Sequence, residues 1–151
     1  MTTWVVAADA SRARIFSRER PGDELIELEA MTNPEARLSE QGLVTDRGGA
    51  ATNGTQGGMH GVDGEHEFKE HEMEKFAKHV AERLYKARME KHYHKLYVMA
   101  APSFLGLLRK NYHSEVSHVL AAEVDKNLTL HSEADIRKHL PGNNVPEVAG
   151  F

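Results

Sequence analysis

The chain of 151 residues has the length of one compact domain, with 40% hydrophobic and 28% charged residues. Its formal net charge of −4 excludes a protein that is basic as a whole, so any contact with nucleic acid must come from a local patch. The lack of cysteine excludes a disulfide scaffold, a thiolate metal site and a cysteine nucleophile.

The first part of the chain predicts three short strands joined by tight turns. Residues 4–8 form an uninterrupted apolar run, which is typical of a strand covered on both faces. Residues 13–17 alternate between two faces, and residues 20–23 have the composition of a turn. Residues 25–31 predict a third strand with glutamates on one solvent-facing side. Together the three strands predict an antiparallel meander.

A glycine-rich segment follows the meander. The chain has 12 glycines, and most of them lie between residues 42 and 64, where large apolar residues are almost absent. Such a segment cannot bury enough surface to offset its backbone entropy, so it predicts a mobile loop over residues 42–64. The sequence thus predicts a single α/β domain over residues 1–142 that contains this loop, followed by a flexible tail over residues 143–151.

The rest of the chain predicts helices that alternate with strands. Asp63 is predicted to cap a long helix with a one-sided apolar stripe. Residues 96–101 predict a buried strand, and Pro102 is well placed in the first turn of the next helix. Residues 116–124 predict a strand in their second half, and Ser132 is predicted to cap a last short helix. The order β-β-β, loop, α-β-α-β-α predicts a mixed sheet covered by helices.

Asp9 is a weak candidate for catalysis. It follows a buried strand, where α/β folds place catalytic carboxylates. A metal site of the RNase H type would need several carboxylates to converge there, and a turn-forming aspartate explains the position equally well. The histidines do not have the spacing of a metal site, and no nucleophile or phosphate-loop motif is present. The sequence therefore predicts no metal and no cofactor, and it favours a protein that is not an enzyme.

Five basic residues are candidates for binding RNA. Arg12 and Arg14 are predicted to project from one strand face, and Arg109 with Lys110 ends a helix. Arg47 lies in the glycine-rich loop. The five are predicted to line one surface that meets phosphates. The alternative is an ordinary charged surface, because glutamates are interleaved throughout.

Several segments resemble the bacterial family of host attachment proteins, which are named as required for attachment to host cells. The resemblance covers roughly residues 3–140, and it is carried by residues 4–16, 33–37, 46–49, 76–77, 100–109 and 125–129. The most specific segments are Ala100 to Arg109 and Asp125 to Thr129. Asn127 stands where the family usually has aspartate, and Gly49 where it tends to have arginine.

That family is similar in turn to the middle domain of archaeal and eukaryotic class-1 release factors and of the ribosome-rescue factor Pelota. The similarity implies the same order of meander, long loop and α/β unit, which is an RNase H-like fold. In release factors the loop carries Gly-Gly-Gln, whose glutamine helps a water molecule to attack the peptidyl-tRNA ester. The equivalent loop here reads Gly54-Thr55-Gln56-Gly57-Gly58, so the resemblance implies Gln56 as a second weak catalytic candidate in a different residue order.

The residues and the resemblance together predict a non-catalytic cytosolic factor that associates with the ribosome, ribosomal RNA or tRNA. It would act in stress or in stalled or hibernating translation, with the glycine-rich loop directed toward RNA. One alternative is a host attachment protein that acts indirectly, because the sequence predicts neither a secretory signal nor a membrane span. The other alternative is a small hydrolase that depends on Asp9.

Overall fold

A five-stranded mixed sheet forms the centre of the protein, in a computed structural model that describes residues 1–34 and 55–141. Side chains are described for residues 1–34 and 69–141. The elements in chain order are β1 Thr3–Ala8, β2 Arg12–Arg18, β3 Ile26–Thr32, α1 Thr55–Met89, β4 Lys95–Ala100, α2 Pro102–Asn111, α3 Ser114–Val119, β5 Leu120–Val124 and α4 Glu133–Lys138. This order confirms the predicted mixed α/β fold, and among the described elements α3 was not predicted.

The sheet has the strand order β3-β2-β1-β4-β5. Strand β1 pairs antiparallel with β2 and parallel with β4, while β4 pairs parallel with β5. The predicted meander and the predicted mixed sheet are both confirmed. One edge of the sheet therefore carries the carboxyl ends of β1, β4 and β5 together with the start of β2 and the end of β3. We call it the carboxyl edge.

Both faces of the sheet are covered, and each has its own apolar core. The first face packs against α1, α2 and α3, and contains Trp4 and Val6 of β1. The second face packs against α4 through Ile136, and contains Val5 and Ala7 of β1. Every residue from Trp4 onward in β1 is buried, because successive side chains alternate between two apolar cores. The continuous apolar run in the sequence is thus explained by its central position.

Helix α1 begins earlier than the sequence predicts. Residues 55–64 of the predicted loop form its first turns, so Asp63 lies inside the helix and does not cap it. The buried part of α1 supplies the nucleus, and each residue added to an existing helix gains one backbone hydrogen bond. That gain outweighs the low helix propensity of the glycines. Residues 42–54 of the predicted loop and the predicted tail lie outside the described residues.

The C-terminal end of α1 positions the buried Tyr93 at the end of the sheet opposite the carboxyl edge, just before β4. Lys91 has a φ of 61°, and the amide of His92 donates to the carbonyl of Ala87 at 2.9 Å, which closes the helix in a Schellman motif. Two residues later, the Tyr93 hydroxyl donates to the carbonyl of Leu84 at 2.7 Å. The Tyr93 ring also stacks on Trp4, with ring centroids 4.9 Å apart. The connection to β4 is therefore fixed by packing as well as by backbone geometry.

Two buried tyrosines predict a loss of stability in alkaline solution. Burial raises the pKa of the Tyr93 phenol, and burial together with the charge of Glu123 raises the pKa of Tyr112. In the unfolded chain a tyrosine ionises at its ordinary pKa of about 10. The stability present below that pH should therefore be lost as the pH rises above it, because only the folded state keeps these protons.

Urea unfolding at a series of pH values from neutral to strongly alkaline measures this effect. The variant Tyr112→Phe should show a shallower decline above the ordinary tyrosine pKa. At neutral pH the same variant should be at least as stable as the unsubstituted protein, since the buried Tyr112 hydroxyl has no hydrogen-bond partner among the described residues. Equal declines for the two proteins would contradict the assignment to Tyr112.

Candidate functional site

Asp9 organises the turn between β1 and β2 at the carboxyl edge. Its Oδ1 accepts hydrogen bonds from the backbone amides of Ser11 at 2.8 Å and Arg12 at 2.9 Å. This is the Asx-turn geometry that aspartate favours because its short side chain reaches the backbone two residues on. The turn-forming interpretation of Asp9 therefore accounts for one of its two oxygens.

The second oxygen of Asp9 ties the same turn to the segment that follows β5. Oδ2 accepts from the Thr129 hydroxyl at 2.8 Å and from the Asn127 side-chain amide at 3.2 Å. Asn127 also accepts from the Thr129 backbone amide at 3.1 Å. An ionised carboxylate offers about four acceptor sites. With four donors already placed on it, Asp9 is held as a structural acceptor, and the geometry does not favour its use as a base.

Arg14 fixes the next residues of that segment. Its Nη1 donates to the carbonyls of Thr129 at 3.0 Å and His131 at 2.7 Å. Its Nε and Nη2 donate to the two carboxylate oxygens of Glu27 at 3.1 and 2.9 Å. The guanidinium also lies over the Phe16 ring, 5.0 Å from its centroid. Four of the five donors of Arg14 are thus engaged within the fold.

An open cavity of about 460 Å³ lies between the strands and this segment at the carboxyl edge. Helix α4 has only six residues. It covers the second face near Phe16 but leaves the start of β2 and the end of β3 open. The cavity is lined by Ser11, Arg12, Arg14, Glu27, Ala30, Met31, Thr32, Thr129 and Leu130. The lining combines guanidinium groups, hydroxyl groups, one carboxylate and an apolar wall. We call it the carboxyl-edge cavity.

The structure does not bring the predicted basic residues onto one surface. Arg12 and Arg14 alternate with buried residues of β2 and lie on the second face, where Arg14 contacts Phe16. Arg109 and Lys110 lie at the end of α2, which packs on the first face. These four residues therefore lie on two faces of the sheet, because alternation along a strand does not tell which face a later helix will cover, and their role in binding RNA stays a prediction. Arg47 lies outside the described residues.

The two basic residues of α2 differ in their surroundings. Arg109 donates to a single oxygen of Glu123, at 2.8 Å from Nε and 2.6 Å from Nη2. Lys110 is exposed next to it. Arg109 therefore has an internal partner that a phosphate would have to replace, which makes it a poorer phosphate ligand than its exposure suggests.

The loop residues singled out by the resemblance fall at the start of α1. The backbone of Thr55, Gln56, Gly57 and Gly58 is helical, which differs from the predicted loop, and Gly54 lies outside the described residues. The side chain of Gln56 is not among those described. Its catalytic role stays a prediction that the geometry does not address.

The described part of the chain offers neither a metal site nor a membrane-spanning helix. No group of three or more histidine, aspartate or glutamate side chains within it is arranged to hold a metal ion. Within the same residues, no helix combines the length and apolar character needed to cross a membrane.

Sequence reasoning missed the residues that complete the cavity. Glu27, Thr129 and Leu130 line it, while Asn127 supports it through Asp9. The segment that contains Asn127 and Thr129 was marked only by the family resemblance. Nothing in its spacing showed that it would meet Asp9, because the two lie at opposite ends of the chain.

The fold and the site define a small α/β protein with a polar, arginine-lined cavity at the carboxyl edge of a mixed sheet. The chain belongs to the family described as "Protein required for attachment to host cells", and the match covers residues 4–140. This confirms the resemblance found in the sequence. No curated relative matches the chain.

Two solved structures are similar to the chain. One is the archaeal translation termination factor aRF1, and the other is described as an archaeal protein. Each is 12% identical, with a TM-score of 0.46, and the match covers 99% of this chain and 39% of the solved one. The chain thus spans about two fifths of the length of these structures. A release factor is therefore among the similar structures, as the sequence resemblance implied.

Proposed function

We propose that this protein acts by binding RNA without catalysis, and that the carboxyl-edge cavity receives an RNA phosphate. The proposed partner is ribosomal RNA or tRNA, in a cytosolic role during stressed, stalled or hibernating translation. The observation that carries the proposal is the cavity lining, which includes Arg12 together with the hydroxyl-bearing residues Ser11 and Thr32. Arginine and hydroxyl groups are the side chains that most often contact phosphate oxygens.

The surroundings of Arg12 support a preformed binding site. Asp9 fixes the backbone amide of Arg12, and Arg14 fixes the opposite wall through the carbonyls of Thr129 and His131. A ligand that enters the cavity therefore meets groups whose positions are already set, so little ordering entropy is lost on binding. The four hydrogen bonds that Asp9 accepts occupy both of its oxygens, which supports binding over hydrolysis.

A matched pair of variants tests the proposal. Arg12→Gln should weaken binding of single-stranded RNA by about tenfold, because a charged hydrogen bond to phosphate is lost. The slope of log affinity against log salt should become shallower by about 0.7. Lys78→Gln removes an exposed charge from α1 on the other face and should change neither value. Fluorescence anisotropy over a salt series measures both.

Co-sedimentation through a sucrose gradient connects this binding to translation. The tagged protein from starved cells should migrate with ribosomal particles, and Arg12→Gln should move it toward the top of the gradient. Recovery of both proteins at the top, together with equal RNA affinities, would overturn the proposed function.

Membership of the attachment family favours a second candidate function, a role in attachment to host cells. Proteolysis at the surface of intact cells separates the two. A directly acting attachment protein would be digested, whereas the RNA-binding protein would be protected until the cells are broken.

A further inference from the structure

We infer that the carboxyl-edge cavity holds one unstacked nucleotide of a single-stranded RNA, with its phosphate at Arg12 and its base against Leu130. This inference rests on the proposed function and names what the same site recognises. It starts from the apolar part of the cavity lining, which phosphate binding alone does not explain.

Leu130 is an unusually exposed apolar residue for a position in an ordered segment. It is 79% exposed, while its neighbours Leu128 and Thr129 are 3% and 2% exposed. Among the described residues, the only large hydrophobic side chain with greater exposure is the terminal Met1. Leu130 also lines the cavity. A large apolar surface kept in solvent beside a cavity is a feature of ligand-binding sites.

The backbone on both sides of Leu130 is held in place. Arg14 Nη1 donates to the carbonyl of Thr129 on one side and to that of His131 on the other, at 3.0 and 2.7 Å. Thr129 is anchored further by its hydroxyl, which donates to Asp9. Leu130 is thus presented at the cavity from a fixed backbone, and covering it costs little conformational entropy.

The apolar side of the cavity suits a flat ring. Ala30 of β3 lines the cavity together with Leu130, while the side chain of the neighbouring Met31 packs against the core of the first face. A nucleobase has two apolar faces, and an unpaired nucleotide can place one of them on such a wall. The volume of about 460 Å³ is within the usual range for small-molecule pockets and exceeds what a phosphate group alone would fill.

Glu27 determines how a nucleotide would be oriented in the cavity. Its carboxylate lines the cavity and is fixed by two hydrogen bonds from Arg14. A carboxylate accepts hydrogen bonds from the N–H groups of a base and repels phosphate. The base should therefore lie toward Glu27 and Leu130, and the phosphate toward Arg12. A base stacked inside a duplex could not present its face and its edge in this way, so the ligand is single-stranded.

Nuclear magnetic resonance titration with the four 5′-mononucleotides and with inorganic phosphate tests the inference. Nucleotides should shift the amides of residues 11–12, 30–32 and 129–131, and should bind at least about tenfold more tightly than inorganic phosphate. Leu130→Ser should weaken nucleotide binding by about fivefold, because the apolar contact is lost. Leu130→Met keeps an apolar side chain and should bind like the unsubstituted protein, and Lys78→Gln in α1 is the control on the other face.

Three results would overturn the inference: equal affinities for nucleotides and inorganic phosphate, shifts confined to residues outside the cavity, or no effect of Leu130→Ser. The test also separates the two proposals. RNA binding that depends on Arg12 and is indifferent to Leu130→Ser would keep the proposed function and reject nucleotide recognition. A lack of RNA binding by the unsubstituted protein would reject both. Since Leu130 is exposed, its substitution should leave the circular dichroism spectrum unchanged.

Discussion

Replacement of Asp9 by alanine is expected to lower the free energy of unfolding by about 3 kcal/mol, which is large for a polar residue near the surface. The substitution removes both oxygens that accept from Ser11 and Arg12 on one side, and from Asn127 and Thr129 on the other. It leaves part-buried donors without partners. It also detaches the wall of the carboxyl-edge cavity from the β1–β2 turn.

Urea denaturation of a series of variants measures this effect. Asp9→Asn keeps an oxygen for the Asx turn but faces Asn127 and Thr129 with a donor group, so about half of the loss is expected. Asp23→Ala is the matched control, because the Asp23 side chain accepts the exposed backbone amide of Arg20, at 3.1 Å, and ties no distant segment to its turn through that bond. It should cost less than about 1 kcal/mol.

The same series addresses the hydrolase alternative. If Asp9 served catalysis and not structure, Asp9→Ala would keep the stability of the unsubstituted protein and lose an ester- or phosphate-hydrolysing activity. Because Asp9 accepts four hydrogen bonds within the fold, we expect the opposite result. Asp9→Ala should lower the free energy of unfolding and should not lower any rate of hydrolysis.

Replacement of Leu84 by alanine is expected to cost about 3 kcal/mol or somewhat more. Leu84 is 0% exposed and lies on the face of α1 that packs on the first face of the sheet. Its carbonyl accepts from the Tyr93 hydroxyl. That bond resists a shift of the helix toward the sheet, so the cavity left by the substitution should close only in part.

Thermal and urea unfolding of Leu84→Ala should give the same loss of unfolding free energy. Leu130→Ala is the matched control, since the same leucine side chain is removed at a position that is 79% exposed. It should change stability by less than about 0.5 kcal/mol. Equal effects of the two substitutions would mean that the packing of α1 on the sheet contributes little to stability.

The fold could be predicted from the sequence wherever burial leaves a pattern. The apolar run in β1 indicated a strand with both faces covered, and both cores are found on its two sides. Pro102 marked the start of α2, and the Ser132 hydroxyl accepts from the amide of Asp135 at 3.2 Å, as its predicted role as an N-cap requires. These signals are local, because each depends on residues within one element.

The start of α1 and the identity of α3 could not be predicted in the same way. Glycines and the lack of apolar residues describe an isolated segment, whereas residues 55–64 continue a helix that is stabilised further along the chain. Residues 114–119 form a helix followed directly by β5, and Val116 and Val119 link that helix to the first face. Two apolar residues in a helix of six residues do not establish a period.

The candidate site depends on contacts between distant parts of the chain. Asp9 and Arg14 were both singled out in the sequence, but their partners are Thr129 and His131, more than 100 positions away. No spacing rule connects such residues. The sequence therefore singled out Asp9 and Arg14 by their chemistry. It could not show that both would bind the segment that follows β5.

The central position of β1 has a consequence for synthesis of the chain. Strand β1 pairs with β4, which ends at Ala100, so it cannot complete its pairing until the chain as far as Ala100 has been translated. Until then the nascent chain carries the meander with one hydrogen-bonding edge of its most apolar strand open. Such an edge is a template for aggregation. Protection of this edge by chaperones or by the ribosome surface would therefore matter most in the interval between the emergence of β3 and that of β4.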